Sequence, residues 1–174
     1  MKNGPTNPAA KLSDLVESID FPQDSDNRLY FDRQTGETVC LEKSILSAVE
    51  EGDEESLEDV PAWQKPEIEV AKAIIDDRAG RFIDPPDKVE FDEYRHMQDF
   101  IETIDDPDLA GQLSRSIQGS GAFRRFKDTL YRLRLEKRWF NYRDRAMKEF
   151  AIDWAEENNV AYEDDLKGRG KEQQ

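Results

Sequence analysis

Residues 119–128 combine a glycine-rich turn with the start of a basic, aromatic helix, and they read Gly119-Ser120-Gly121-Ala122-Phe123-Arg124-Arg125-Phe126-Lys127-Asp128. Glycines permit the positive φ angles of a tight turn. The spacing of Phe123, Phe126 and Leu130 then predicts a helix with those residues in the core. Residues 124–149 contain ten Lys/Arg and four Asp/Glu, a net charge of +6, in a chain whose net charge is −15. We therefore expect the other elements to pack around this basic helix.

The segments on either side of the turn also have helical patterns. Asp92 and Asp106-Pro107 supply N-terminal caps for two helices before it, and Gly119 is a typical stop for the second. Between Tyr131 and Leu135 the apolar spacing changes phase, which predicts a bend followed by a long helix to about Asn158. The apolar positions of that last helix are Trp139, Tyr142, Ala146, Phe150 and Trp154.

The N-terminal half carries strand patterns. Two β-prone runs, Arg28–Asp32 and Glu37–Leu41, surround a connector that ends in Gly36, which predicts a β-hairpin. Residues 81–84, directly before Pro85-Pro86, predict a third strand at a sheet edge, where proline is tolerated. The expected fold class is α+β, with a small antiparallel sheet of two or three strands in the N-terminal half and a helical C-terminal half.

The length of 174 residues suits one domain with a core of its own. We expect a single α+β domain over residues 11–160, preceded by a disordered arm, residues 1–10. Residues 50–65 are rich in acids and predict a solvated linker within the domain, after which Trp63 anchors the chain to the core. Residues 161–174 predict a polar tail.

Four segments of the chain occur in the same order in a known protein family. Its Y-L-D-x-x-T-G-E hairpin is similar to residues 30–37, and its Y-R-x-M-x-D-F-I helix is similar to residues 94–101. Residues 119–128 match its G-x-G-A-F-R-R-F-K-D segment, and residues 139–144 resemble the W-Y-x-F-R-D that follows. The chain thus resembles an uncharacterised bacterial family of the UPF series over about residues 12–158, and departs from it at residues 50–75. The resemblance supports the predicted fold and implies no activity, so it supplies no catalytic residue.

The composition and motifs favour a non-enzymatic protein. One cysteine excludes an internal disulfide and a cysteine-based zinc site. His96 is the only histidine; we interpret it as a surface or half-buried structural residue, and Ser120 has no histidine partner that the sequence implies. Neither a Walker pattern nor G-x-G-x-x-G is present. We therefore expect no cofactor and no metal.

The location follows from hydropathy and charge. No window approaches the roughly 18 apolar residues that cross a bilayer, so we expect a cytoplasmic protein without a membrane partner. A sequence pI near 4.5 argues against a surface that binds nucleic acid or anionic membrane throughout, since long-range repulsion slows both encounters.

The basic segment permits three interpretations. In the first, its arginines form ion pairs with acids of the preceding helices, namely Asp92, Asp99, Glu102, Asp105 and Asp106, and we favour this pairing. In the second, the turn and first helical residues bind an anion or phosphate through backbone N–H groups and cations; that site comprises Gly119, Ser120, Gly121, Arg124, Arg125 and Lys127. In the third, residues 121–148 contact a partner.

The leading functional hypothesis is a non-enzymatic interaction or regulatory module that uses the basic-aromatic helix, residues 121–148, as its contact surface for a protein. The first alternative is a small phosphate-ligand-binding protein or enzyme built on the turn from Gly119 to Arg125. The second alternative is a binder of the nucleic-acid backbone, which the net charge of −15 disfavours.

Overall fold

The computed structural model describes residues 7–22 and 25–167, and these fall into two compact units. The sheet unit contains the residues up to Asp87 and those from Ile152 onward, and the helical unit is Lys88–Ala151. Most of the predicted arm, residues 1–6, and half of the predicted tail, residues 168–174, lie outside the described residues. The predicted single domain over residues 11–160 stays a prediction.

The sheet unit holds the strands. Its first elements are β1 (Ala10–Lys11), α1 (Leu12–Ile19), β2 (Asn27–Asp32) and β3 (Glu37–Glu42). There follow α2 (Lys43–Glu51), α3 (Glu54–Glu58), α4 (Lys65–Ile75) and β4 (Phe82–Ile83), and near the end of the chain β5 (Tyr162–Glu163). One sheet has the strand order β3-β2-β4 with antiparallel neighbours, and β1 pairs in parallel with β5.

The helical unit contains α5 (Lys88–Phe91), α6 (Glu93–Glu102), α7 (Pro107–Ser116), α8 (Ala122–Leu133) and α9 (Glu136–Glu157), whose residues from Ile152 belong to the sheet unit. Together with the antiparallel sheet of the N-terminal half, these helices confirm the predicted α+β class. The predicted bend is a break at Arg134, which has a φ of 58° between α8 and α9.

The core of the helical unit is aromatic. The ring of Phe100 packs edge-on against those of Phe126, at 6.3 Å, and Trp139, at 5.2 Å, and the last two rings are 5.0 Å apart. Such edge-to-face pairs add to the stabilisation that burial of the rings provides. The expected core position of Phe123 is wrong, because 46% of its surface is exposed.

Residues 50–65 are more ordered than the predicted linker. They contain the end of α2 and all of α3, whose first turn is capped by the Asp53 carboxylate, 3.2 Å from the Ser56 backbone N–H. The acids of α3 are exposed, while Leu57 and Val60 pack on the apolar cluster of α2 and α4. Since these two residues attach the segment to the core, Trp63 is not needed as an anchor: it is 76% exposed, and its predicted role is wrong.

The hairpin is held by a buried carboxylate. Asp32, 3% exposed, accepts two hydrogen bonds from Arg81, at 2.8 Å from Nε and 2.7 Å from Nη2, and one at 2.9 Å from the Gln34 N–H. Burial by itself raises the pKa of the Asp32 carboxyl, but the bonds from Arg81 and Gln34 outweigh it and hold that pKa below its ordinary value. Gly36, with a φ of 74°, lies so close to the Pro8 carbonyl that a Cβ atom would be 2.7 Å from its oxygen.

Replacing Asp32 should destabilise the fold far more than replacing an exposed acid. We expect Asp32→Asn to lower the free energy of unfolding by about 2 kcal/mol, since it leaves Arg81 without its buried partner. Asp84→Asn, which removes the exposed partner of Arg28, should cost less than about 1 kcal/mol. Urea unfolding at pH 7 measures both values.

Asp32→Asn should also change how stability depends on pH in acid. Because the folded-state pKa of Asp32 is depressed, its stabilisation is present above the unfolded-state pKa, about 3.9, and is lost as pH falls below it. Asp32→Asn should therefore flatten the decline of stability below pH 4. Equal losses in Asp32→Asn and Asp84→Asn would contradict this account of the hairpin.

Candidate functional site

The predicted site residues lie on the turn between α7 and α8 and on the first turns of α8. Gly119 and Gly121 have φ angles of 72° and 76°, in the left-handed region that favours glycine. Gly121 is the residue before the first helical position of α8. The turn therefore has the backbone geometry that its two glycines predict.

Arg125 binds the carbonyl oxygens of that turn. Its Nε donates to the Ser116 oxygen at 3.1 Å, its Nη1 donates to the Ser120 oxygen, and its Nη2 donates to the oxygens of Gln118 and, at 3.5 Å, Gly119. The last carbonyls of a helix lack intrahelical partners and carry partial negative charge. The guanidinium therefore acts as a cationic cap on the end of α7.

Tyr94 completes this cap. Its hydroxyl donates to the Ile117 oxygen at 3.1 Å, so side chains satisfy every carbonyl from Ser116 to Ser120. A Cβ atom at Gly121 would be 3.1 Å from Nη1 of Arg125. Glycine at position 121 thus suits the positive φ angle, and any other side chain would also crowd Arg125.

The structure brings only part of the predicted anion site together. Gly119, Ser120, Gly121 and Arg125 form one cluster, in which Arg125 is bound to carbonyls. Arg124 and Lys127 are exposed on a different side of α8. An anion site at the turn stays a prediction, and Arg125 has few N–H groups left for it.

The favoured pairing with Asp92, Asp99, Glu102, Asp105 and Asp106 is not found among the described residues for the first arginines of the basic segment, whereas Arg143 pairs with another acid of α6: its Nε lies 2.7 Å from the Glu93 carboxylate. Within the described part of the chain, the side chains of Arg124, Lys127 and Arg134 form no ion pair. Arg132 donates to the Gln112 side chain at 2.8 Å, and Arg138 donates to the Thr103 carbonyl. For Arg125, Arg132 and Arg138, backbone and amide oxygens are the hydrogen-bond acceptors in place of the expected carboxylates.

Helix α8 has three distinct sides. Its buried residues are Ala122, Phe126, Thr129 and Leu130. The side that we name the exposed face consists of Phe123, Arg124, Lys127 and Tyr131, and Tyr131 is 76% exposed. Residues four apart lie side by side along a helix, so Phe123, Lys127 and Tyr131 form one row in which a cation stands between two aromatic rings.

The third side of α8 borders a groove against α7. This α7–α8 groove has a volume of about 370 Å³ and is lined by Gln112, Arg115, Ser116, Arg125, Asp128, Thr129 and Arg132. Sequence reasoning missed Gln112 and Arg115, because they lie on the preceding helix. The sequence did contain a sign of the groove: Arg125, Asp128 and Arg132 recur at helical spacing and so form a polar side of α8.

The His96 ring packs against aromatic side chains and has no arrangement suited to catalysis. Its ring stacks on Phe91 at 4.3 Å and meets the edge of Tyr142 at 6.4 Å, and its buried Nδ1 has no hydrogen-bond partner. Burial lowers the pKa of His96 below its ordinary value, and the nearby Asp99 carboxylate offsets this only in part. The imidazole is therefore neutral at pH 7, as a half-buried structural histidine.

Residues 7–22 and 25–167 contain neither a membrane-spanning helix nor a metal-binding cluster. None of their helices has the length and apolar character needed to span a bilayer. Their His, Cys, Asp and Glu side chains gather nowhere in a group of three that could hold a metal ion. The predicted cytoplasmic location stays a prediction.

Comparison with known proteins gives a family. The model of the Uncharacterised protein family (UPF0158) matches residues 10–172. The chain belongs to UPF0158. This confirms the predicted resemblance to an uncharacterised UPF family, while the four motif segments stay a prediction.

One UPF0158 relative and the solved structures complete the comparison. The UPF0158 protein PA5073 of the bacterium Pseudomonas aeruginosa is 31% identical to this chain over 65 residues, which cover 37% of this chain and 42% of the relative. The match thus spans less than half of that relative's length. No solved structure matches this UPF0158 chain.

The two adjacent arginines of the UPF0158 chain should respond differently to mutation. We expect Arg125→Ala to lower the free energy of unfolding by about 2 kcal/mol, because it removes charged hydrogen bonds to several carbonyls at once. Arg124→Ala should change it by less than about 0.5 kcal/mol, as for an exposed residue without partners. Denaturant unfolding of both variants measures the difference, and similar values for the two would contradict the assigned cap.

His96 should make stability depend on pH. Because burial depresses its folded-state pKa, the unfolded chain binds the extra proton first as pH falls through about 6.5. The free energy of unfolding should therefore decline from pH 7 to pH 5 more steeply in the wild type than in His96→Phe, which keeps the stacked ring. Thermal melts across this range test it, and identical slopes would exclude a buried neutral imidazole.

Proposed function

We propose that this UPF0158 protein is a non-enzymatic interaction module, and that the exposed face of α8 binds an acidic helical segment of a partner protein. The observation that carries the proposal is the row of Phe123, Lys127 and Tyr131 with Arg124 beside it. These four side chains are exposed. They form a surface of mixed aromatic and cationic character.

The geometry of the row favours a helix as the occupant. Side chains four apart form a ridge that fits between the ridges of a second helix. Phe123 and Tyr131 are two turns apart along α8. A partner helix laid along this ridge would cover both rings, and buried aromatic residues provide much of the binding energy of protein interfaces.

The charges of the exposed face favour an acidic partner. Arg124 and Lys127 form no ion pair within the described residues. Carboxylates on the partner would neutralise them, and such complementarity speeds association and sets the register of the two surfaces. Nucleic acid is disfavoured by comparison, since the whole chain has a net charge of −15 and nucleic acid carries a far denser negative charge than a peptide.

Two observations support a function without catalysis. His96 is stacked on Phe91 and has a buried Nδ1, so it is poorly placed to act as a general base. Ser120 lies in the exposed turn between α7 and α8, and its hydroxyl makes no hydrogen bond to His96 within the described residues. Neither residue supplies the paired nucleophile and base that covalent catalysis needs.

The test locates the partner through the exposed face itself. A photo-crosslinking amino acid replaces Tyr131 in the full chain inside cells, and mass spectrometry identifies the crosslinked peptide. We expect an acidic segment of amphipathic pattern. A synthetic peptide of that segment should then bind the wild-type chain and lose about tenfold or more of its affinity to Lys127→Glu, which removes a favourable charge pair and adds a repulsive one.

The control is Lys65→Glu, which makes the same change of charge at an exposed residue of α4. This variant should bind the peptide as the wild type does. A crosslink to RNA or DNA in place of protein, or equal losses in Lys127→Glu and Lys65→Glu, would overturn the proposal. A single-stranded oligonucleotide tested on the same variants at about 50 mM salt shows directly whether nucleic acid is the occupant.

A further inference from the structure

We infer that the α7–α8 groove binds a protonated phosphate group, either free phosphate or a phosphomonoester. The inference concerns a different side of α8 from the exposed face, and it stands independently of the proposed protein partner. It also differs from a site at the backbone of the glycine turn, because its donors are side chains of both helices.

Arg132 is held in place across the groove. Its Nη1 donates to the Gln112 side-chain oxygen of α7 at 2.8 Å. A guanidinium has five N–H donors in a planar fork, so four remain for a ligand. An arginine whose orientation is already fixed loses less entropy when it binds an oxyanion.

Arg115 supplies the second cation. It belongs to α7, its side chain is exposed, and its guanidinium makes no hydrogen bond or ion pair within the described residues. Arg115 and Arg132 therefore border one groove from opposite helices. Two guanidinium groups suit the tetrahedral oxygens of a phosphate, which arginine binds through pairs of parallel hydrogen bonds.

Arg125 contributes its positive charge to the groove, while its N–H groups are used by protein carbonyls and not by the ligand. Its Nε–H binds the carbonyl of Ser116, the last residue of α7, where the helix dipole is negative, and its other N–H groups bind carbonyls of the turn. Left unneutralised, that dipole would oppose an anion beside Ser116. The charge of Arg125 offsets it, so the local field in the groove stays favourable to an anion.

Asp128 favours an anion that carries a proton. Its carboxylate also lines the groove and would repel an oxyanion that has no proton to donate. The second pKa of a phosphomonoester is about 6, so a sizeable fraction of it carries a P–OH group near neutral pH. That hydroxyl can donate a hydrogen bond to the Asp128 carboxylate, while sulfate has the same shape and no proton to give.

The experiment measures binding of three probes to the full chain at pH 6.5 by isothermal titration: inorganic phosphate, methyl phosphate and sodium sulfate. We expect the wild type to bind at least one of the two phosphates about tenfold or more tightly than sulfate, the equivalent of one good hydrogen bond to a charged group. The preferred phosphate tells whether the natural ligand is free phosphate or a phosphorylated group.

Three variants locate the site. Arg132→Gln should weaken phosphate binding about tenfold or more, in line with the loss of charged hydrogen bonds. Asp128→Asn should bind sulfate as tightly as phosphate, because the repulsive carboxylate is gone. Arg95→Gln makes the same change at an exposed residue of α6 outside the groove; it is the matched control and should bind as the wild type does.

Several results would overturn the inference: no binding of either phosphate by the wild type, equal affinity for phosphate and sulfate, or equal losses in Arg132→Gln and Arg95→Gln. Melting temperatures of all variants show that they are folded. Failure here leaves the protein-partner proposal intact, because that proposal depends on Lys127 and Tyr131 and on a crosslinked peptide.

Discussion

Five consecutive carbonyl oxygens, from Ser116 at the end of α7 through the turn to Ser120, need hydrogen-bond donors, and the Arg125 guanidinium with the Tyr94 hydroxyl provides them. This arrangement requires a chain that turns sharply enough for Arg125, one turn into α8, to reach back to the helix before it. Gly119 and Gly121 make that turn possible through their positive φ angles. The direction in which α8 leaves the turn then brings Phe126 against Phe100 and Trp139 in the core.

The capped turn also fixes which side of α8 faces the carbonyls, which faces the core and which stays exposed. Arg125 faces the carbonyls, Phe126 enters the core, and Phe123, Arg124 and Lys127 stay exposed. Within residues 119–128 the chain thus combines residues that hold the structure with residues that stay exposed. In the hairpin, Asp32 and Gly36 are likewise explained by structure: one holds Arg81 and the other makes room for the Pro8 carbonyl.

Local patterns predict the hairpin and the long helices but miss β1, α3 and β5, and they fail where the outcome depends on distant parts of the chain. The caps at Asp92 and Asp106 and the phase change before Leu135 are local signals, and each marks an element boundary in the structure. Phe123 and Trp63 were assigned to the core because they are large and apolar. Their exposure depends on which other residues fill the core, which helical spacing does not reveal.

At the candidate site, too, the sequence pattern does not reveal which partners a side chain finds in the fold. Arg124 and Arg125 are equivalent by charge and both are exposed, yet only Arg125 binds main-chain carbonyls. Charge counting considers carboxylates as partners and overlooks carbonyl oxygens at a helix end, which are equally in need of donors. The groove could not be predicted for another reason. Arg115 and Arg132 are 17 positions apart in the sequence, and they line one groove only because α7 packs against α8.

The hydrogen bond from Arg125 to Ser116 can be observed directly in solution by NMR on ¹⁵N,¹³C-labelled protein. The measurement is the through-hydrogen-bond scalar coupling between Nε of Arg125 and the carbonyl carbon of Ser116, together with the solvent exchange rate of the Nε proton. The account predicts a detectable coupling and an Nε–H of Arg125 that exchanges much more slowly than that of Arg124. Absence of the coupling, with equal exchange rates for the two arginines, would contradict the claim that Arg125 holds the turn.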